Sequence, residues 1–149
     1  MPRLRRILHA TDFSPASTPA LRWAVELARA NRSQLLVLHV MAPPVLAMPG
    51  EGYVSPALYE DLERSARAQA RKRLDAIVAK ARKAGARATG LVLEGVPHEL
   101  IARAARSRKV DLIVIGTHGR SGLAKLFLGS VATRVVSMAP RPVLTVRGK

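Results

Sequence analysis

Two short segments carry residue types suited to holding phosphate. The first is Gly116-Thr117-His118-Gly119-Arg120-Ser121-Gly122, and nine residues separate Gly119 from a second glycine-hydroxyl pair, Gly129-Ser130. Glycines let backbone N–H groups come close to phosphate oxygens, and a residue at the amino end of a helix stands where orphan N–H groups and the dipole attract anions. The plainer alternative is a turn out of a strand at Gly116 and Gly119 and an ordinary helix start at Gly129-Ser130. Position favours a ligand, because the glycines follow the carboxyl end of an apolar run.

The other segment is Ala10-Thr11-Asp12-Phe13-Ser14. Asp12 reads either as a turn or N-cap residue, or as a contact to a ribose hydroxyl, an adenine amine or a magnesium ion. His118 reads as a contact to phosphate or ribose and not as a catalytic base. Arg120 reads either as a neutraliser of phosphate charge or as a solvated arginine. His9 and His39 lie within strand-like runs and read as core or strand-end groups, with no third ligand at metal spacing. His98-Glu99 lacks the second histidine of a zinc-protease helix.

Many chemistries are excluded. The chain has no cysteine, so thiolate zinc, iron–sulfur and thiol nucleophile chemistry are absent. The first strand-to-helix turn holds no glycine of a dinucleotide fingerprint, and there is no Walker-type loop, kinase loop set or Gly-x-Ser-x-Gly elbow. A Ser-Gly-Gly loop of the kind that serves adenylyl transfer is missing after the first strand as well.

The elements that position these segments alternate. Ile7–Ala10, Leu35–Val40, Arg87–Leu93, Val110–Ile115 and Val143–Val146 are apolar or β-branched runs of strand length. Helical spacing separates them: Leu21, Ala24, Val25 and Ala28; then Leu74, Ile77, Val78 and Ala81; then Ile101, Ala104 and Ala105; and a shorter helix from about Gly129. Runs such as Leu112-Ile113-Val114-Ile115 lack polar alternation, as expected of parallel strands covered by helices on both faces. The stretch from Met41 to Pro56, with four prolines and two glycines, reads as a loop into the second helix. One α/β domain over 1–149 is expected, since 149 residues with 48% hydrophobic content can bury a core without staples.

Charge is lopsided: 25 Lys and Arg stand against 10 Asp and Glu, for a formal +15. Such a chain favours anionic partners. The cations are scattered along the sequence, and those between Glu60 and Lys83 read as the solvated outer face of a helix. With one Trp, two Tyr and two Phe there are few platforms for base stacking. No apolar run is long enough to span a bilayer, and Asp12 interrupts the early apolar stretch, so a cytoplasmic location is expected.

The strings Val110 to Leu123, Leu128-Gly129-Ser130-Val131-Ala132 and Pro142-Val143-Leu144-Thr145-Val146 closely resemble the carboxyl half of universal stress proteins. Ile7 to Ser14, Leu38-His39-Val40 and Gly95 to Ala105 resemble segments of the amino half, so the resemblance spans nearly the whole chain. It implies a Rossmann-like open parallel sheet in the order 3-2-1-4-5 with ATP bound where strands one and four diverge. By that resemblance Thr11, Asp12 and Val40, beside Ala10, surround adenine and ribose, while Gly116, Gly119, Gly129, Ser130 and Val131 hold ribose and phosphates. It further implies ATP with Mg2+ as ligand, a regulatory or sensing role and a homodimer joined through the last strand. Slow ATP hydrolysis or self-phosphorylation near Ser130, and nucleic-acid binding by the positive surface, are the competing functions.

Overall fold

The structure is a computed structural model that describes residues 2–43, 54–118 and 128–148. Its five strands are β1 (Arg6–Ala10), β2 (Gln34–Met41), β3 (Arg87–Glu94), β4 (Leu112–Gly116) and β5 (Val143–Val146). Helices α1 (Thr18–Asn31), α2 (Pro56–Lys83), α3 (Pro97–Ser107) and α4 (Ser130–Met138) alternate with them, and a single 3-10 turn, Pro15–Ser17, leads into α1.

All strands are parallel, in the order β3-β2-β1-β4-β5. β1 is central: Leu8 pairs with Leu36 on one side and Ile113 on the other. Because crossovers between parallel strands are right-handed, winding outward from β1 in two directions puts the helices on opposite faces. Ala20, Ala24 and Ala28 of α1 and Leu74, Val78 and Ala81 of α2 pack with Ile7, Leu35, Val37 and Val114. Ile101, Ala104 and Ala105 of α3 and Ala132 and Val135 of α4 pack with Leu8, Leu38, Ile113 and Ile115. Small alanines on α1 and α3 let those helices lie close to the sheet, while strand Val, Ile and Leu fill the space between.

Ends of β1, β2, β3 and β4 differ from expectation by single residues, and two other boundaries shift for identifiable reasons. β4 begins at Leu112 and not at Val110, because Lys109 takes a left-handed φ of 52° and the Asp111 carboxylate accepts hydrogen bonds from the N–H groups of Arg5 and Arg6. The second helix begins at Pro56, a residue expected in the preceding loop. Proline's fixed φ suits the first helical position, and Ser55 caps the helix by accepting from Leu58 N–H. Most of that expected loop, 44–53, lies outside the described residues.

The α2 arginines are largely engaged in the structure. Arg64, Arg67 and Arg71 pair with acids on their own helix, and Arg67 also reaches Glu94 of β3. Arg71 and Arg82 donate to Gly90 O and Ala88 O, carbonyls of the edge strand β3. Among the described residues no side chain donates to the backbone of the opposite edge strand, β5. No helix among them is long and apolar enough to cross a membrane.

Candidate functional site

A cavity of about 330 Å³ opens beyond the carboxyl ends of β1 and β4, where the order of strands reverses. Of the residues singled out from the sequence, Ala10, Thr11, Asp12, Val40, Gly116, His118, Gly129, Ser130 and Val131 all line it. Gly119 and Arg120 lie outside the described residues. Sequence reasoning missed Ser17, Leu38, Pro97, Ile101, Ile115, Thr117 and Ala132 as lining residues. Leu38, Val40, Pro97 and Ile101 make an apolar wall, and Thr117 could have been noticed inside the glycine string.

The loop after β1 is held by its own hydroxyls. Thr11 N–H continues the sheet by donating to Leu38 O. Ser17 Oγ donates to Ser14 O at 2.7 Å, so the 3.2 Å contact between the Thr11 and Ser17 hydroxyls has Thr11 as donor. The same Thr11 oxygen accepts from Phe13 N–H at 3.1 Å. Asp12 is a turn residue, as one of its two readings expected: its Oδ1 accepts from both the N–H and the hydroxyl of Ser14. The carboxylate nevertheless lines the cavity. Replacing Thr11 by valine keeps the shape but leaves Phe13 N–H and the Ser17 hydroxyl short of a partner. Folding stability should fall by about 1–3 kcal/mol in chemical denaturation; an unchanged midpoint would show that backbone contacts alone hold the loop.

Phe13 sits at φ 65°, a costly conformation for a bulky residue. Contacts on both sides compensate: its ring stacks on His39 with centroids 4.0 Å apart, and the Arg73 guanidinium of α2 lies 4.6 Å from its centroid. His39 Nδ1 donates to Thr11 O at 2.8 Å, tying β2 to the loop. This matches the expected strand-end role for His39. His9 is the buried core group expected, but it is only half satisfied. Its Nδ1 donates to Val114 O at 3.1 Å, but Nε2 is buried with no hydrogen-bond partner among the described residues. Burial pushes its pKa down from 6.5 to about 4, outweighing the raising effects of the Val114 bond and the Asp12 charge.

Gly116 and Gly129 stand at the other side of the cavity. Neither Gly116 nor Gly129 has a positive φ. A side chain on Gly116 would stand 3.4 Å from Ala16 O and 3.7 Å from Ser17 Cα, ordinary contact distances, so the 3-10 turn lies against the end of β4 without requiring glycine there. Gly129 N–H donates to Thr117 O at 2.6 Å, which removes it as a phosphate donor. The first helical bond of α4 runs from Thr133 N–H to Gly129 O, leaving the N–H groups of Ser130, Val131 and Ala132 as the helix's orphan donors. Among the described residues no side chain caps them, and all three residues line the cavity. His118 Nδ1 lies 2.8 Å from the Thr117 hydroxyl.

A doubly wound α/β protein with a crevice at its strand-order reversal, an apolar wall on one side and an uncapped helix terminus on the other, is the class that fold and site define. The chain belongs to the universal stress protein family, which it matches over residues 3–147. It is 39% identical to a universal stress protein of Thermus aquaticus over 143 residues, covering 96% of this chain and 98% of that one. Among solved structures it resembles the universal stress protein UspA of Lactobacillus plantarum, with 26% identity, a TM-score of 0.82 and coverage of 99% and 100% of the two chains. A universal stress protein from Archaeoglobus fulgidus in complex with dAMP is likewise similar, with 26% identity and a TM-score of 0.69 over 98% of this chain and 100% of that one.

Proposed function

We propose that the crevice binds an adenine nucleotide, ATP with Mg2+, and that the protein acts as a nucleotide-dependent regulator. The observation that carries this reading is the start of α4, uncapped among the described residues, where three backbone donors and the positive end of the dipole face a cavity. The apolar wall of Leu38, Val40, Pro97 and Ile101 suits a purine ring, and the dAMP complex of the Archaeoglobus fulgidus relative supports the same ligand class. In this reading Ala10, Thr11, Asp12 and Val40 flank base and ribose. Gly116, His118, Ser130 and Val131 meet ribose and phosphates, with Gly129 acting through the turn it anchors. Gly119, which the resemblance assigns to the phosphate side, and Arg120, which in one of its readings neutralises phosphate charge, lie outside the described residues. A magnesium ion brought in with the phosphates would find Asp12 as the carboxylate at the cavity.

Retention fits the geometry better than turnover. Among the described residues Asp12 is the only carboxylate lining the cavity, and its Oδ1 accepts two hydrogen bonds from Ser14, so it is poorly placed as a base toward water near Ser130. The direct test is calorimetric titration with dAMP, AMP and ATP, the last with and without Mg2+, at physiological salt. Micromolar binding, tightest for ATP with Mg2+, is expected; absence of heat with every nucleotide would overturn the reading.

We further propose a homodimer joined through β5. Val143, Leu144 and Thr145 are half-buried, Val136 and Met138 of the neighbouring α4 are each 48% exposed, and the strand's outer edge has no side-chain donor among the described residues. Light scattering at micromolar concentration should give twice the 16.1 kDa chain mass. A monomer mass would refute it.

A further inference from the structure

The cations that look scattered along the sequence are partly gathered by the topology. At the amino ends of the strands, opposite the nucleotide crevice, lies a cavity of about 570 Å³ lined by Arg3, Arg5, Arg6, Arg32, Arg87 and Lys109. They arrive from the lead-in and start of β1, the caps after α1 and α3, and the start of β3. None forms an ion pair among the described residues. The single acid in the lining, Asp111, has one carboxylate oxygen accepting from the backbone N–H groups of Arg5 and Arg6, and Arg6 itself donates to Arg108 O.

Cations at helix carboxyl termini complement the dipole, but that role needs only one at each end. Even after Asp111 and roughly half a negative charge from each of the α1 and α3 termini are set against them, about four positive charges remain in the basin. Two of the six also occupy strained backbone. Arg32 and Lys109 adopt φ 55° and 52°, in the left-handed region where a helix usually places glycine. The chain keeps long cationic side chains at two positions where glycine would relieve strain, and both reach the same cavity.

The lining also says what is not read there. Among the described residues it contains no aromatic side chain, so it has no platform there on which a base could stack. Its concave shape suits a flexible chain entering it and not the rigid phosphate rows of a duplex. We propose that this basin binds a linear polyphosphate, a chain of phosphoanhydride-linked phosphates carrying dense charge and no bases. β1 separates it from the crevice by about 16 Å, so both sites can be filled together.

The test is calorimetric titration with tripolyphosphate and with a long-chain polyphosphate, in protein saturated with AMP. Affinity should rise with chain length and fall steeply with added salt. The double variant Arg32→Gly/Lys109→Gly should keep or raise its melting temperature, because glycine is favoured at both caps, and should bind polyphosphate at least about tenfold more weakly. Arg64→Ser/Lys72→Ser on α2 removes the same charge elsewhere and should change affinity less than about twofold. Equal losses in the two double variants would reduce the effect to net charge and overturn the proposal. So would competition by AMP, which would place the chain in the crevice, or equally tight binding of single-stranded RNA of matched charge, which would assign the basin to nucleic-acid backbones.

Discussion

Replacing Ser130 by proline should leave the protein folded and weaken nucleotide binding by at least about tenfold, the loss of one hydrogen bond to a charged group. Ser130 is the first residue of α4, the position where proline is tolerated because its missing N–H has no helical partner. Gly129 before it has φ −58° and ψ 160°, within the extended range that a residue preceding proline prefers. The substitution therefore deletes one orphan donor and one hydroxyl with little strain. Ser130→Ala separates the two contributions, since it removes the hydroxyl and keeps the N–H. If Ser130→Pro bound ATP as tightly as the unaltered protein, the amino end of α4 would not be the phosphate site.

Acid should destabilise this protein through His9. In the folded state the ring is neutral down to about pH 4, because burial disfavours the charged form and Nε2 has no partner among the described residues. In the unfolded chain it takes up a proton near pH 6.5. Above pH 6.5 neither state is protonated and there is no penalty. As pH falls from 6.5 towards 4 the unfolded state binds the extra proton, and stability declines by up to about 3 kcal/mol, at 1.36 kcal/mol per unit of difference. Below about 4 the histidine contribution levels off. His9→Asn keeps a short donor near Val114 O and removes the titrating ring; it should lower stability at pH 7 but flatten the profile between 6.5 and 4. Denaturant melts of both proteins across that range decide it, and parallel profiles would remove His9 as the cause.

How much was legible beforehand depended on whether a property belonged to the chain or to its packing. Strand runs, helical spacing and the glycine string are local, and they singled out Ala10, Thr11, Asp12, Gly116, Gly129 and Ser130; Val131 came from the family resemblance, and all seven line one cavity. Pro97 and Ile101 join that cavity only because α3 crosses the sheet beside β2, and Ser17 because the 3-10 turn folds over Gly116. The spacing of Gly129 from Gly116 was visible, but the partner of its N–H was not: Thr117 O takes it, and the donors left over belong to the next three residues. Pro56 was read as a loop residue although it starts a helix, because one proline serves both roles. The basic basin is the plainest case. Arg3 and Lys109 are far apart in sequence, and only the order of strands brings them to one rim.

The two borders of the sheet differ in a way that bears on how far assembly could proceed. Arg71 and Arg82 occupy outward carbonyls of β3, whereas β5 carries no such guard among the described residues. A surface that can accept a neighbour on one side only is a chain terminator as well as a joint. Two copies meeting through β5 about a two-fold axis would form a ten-stranded ribbon with a guanidinium-stoppered β3 at each end. Growth would halt at two, and the aggregation hazard of an open sheet margin would be consumed by the pairing itself.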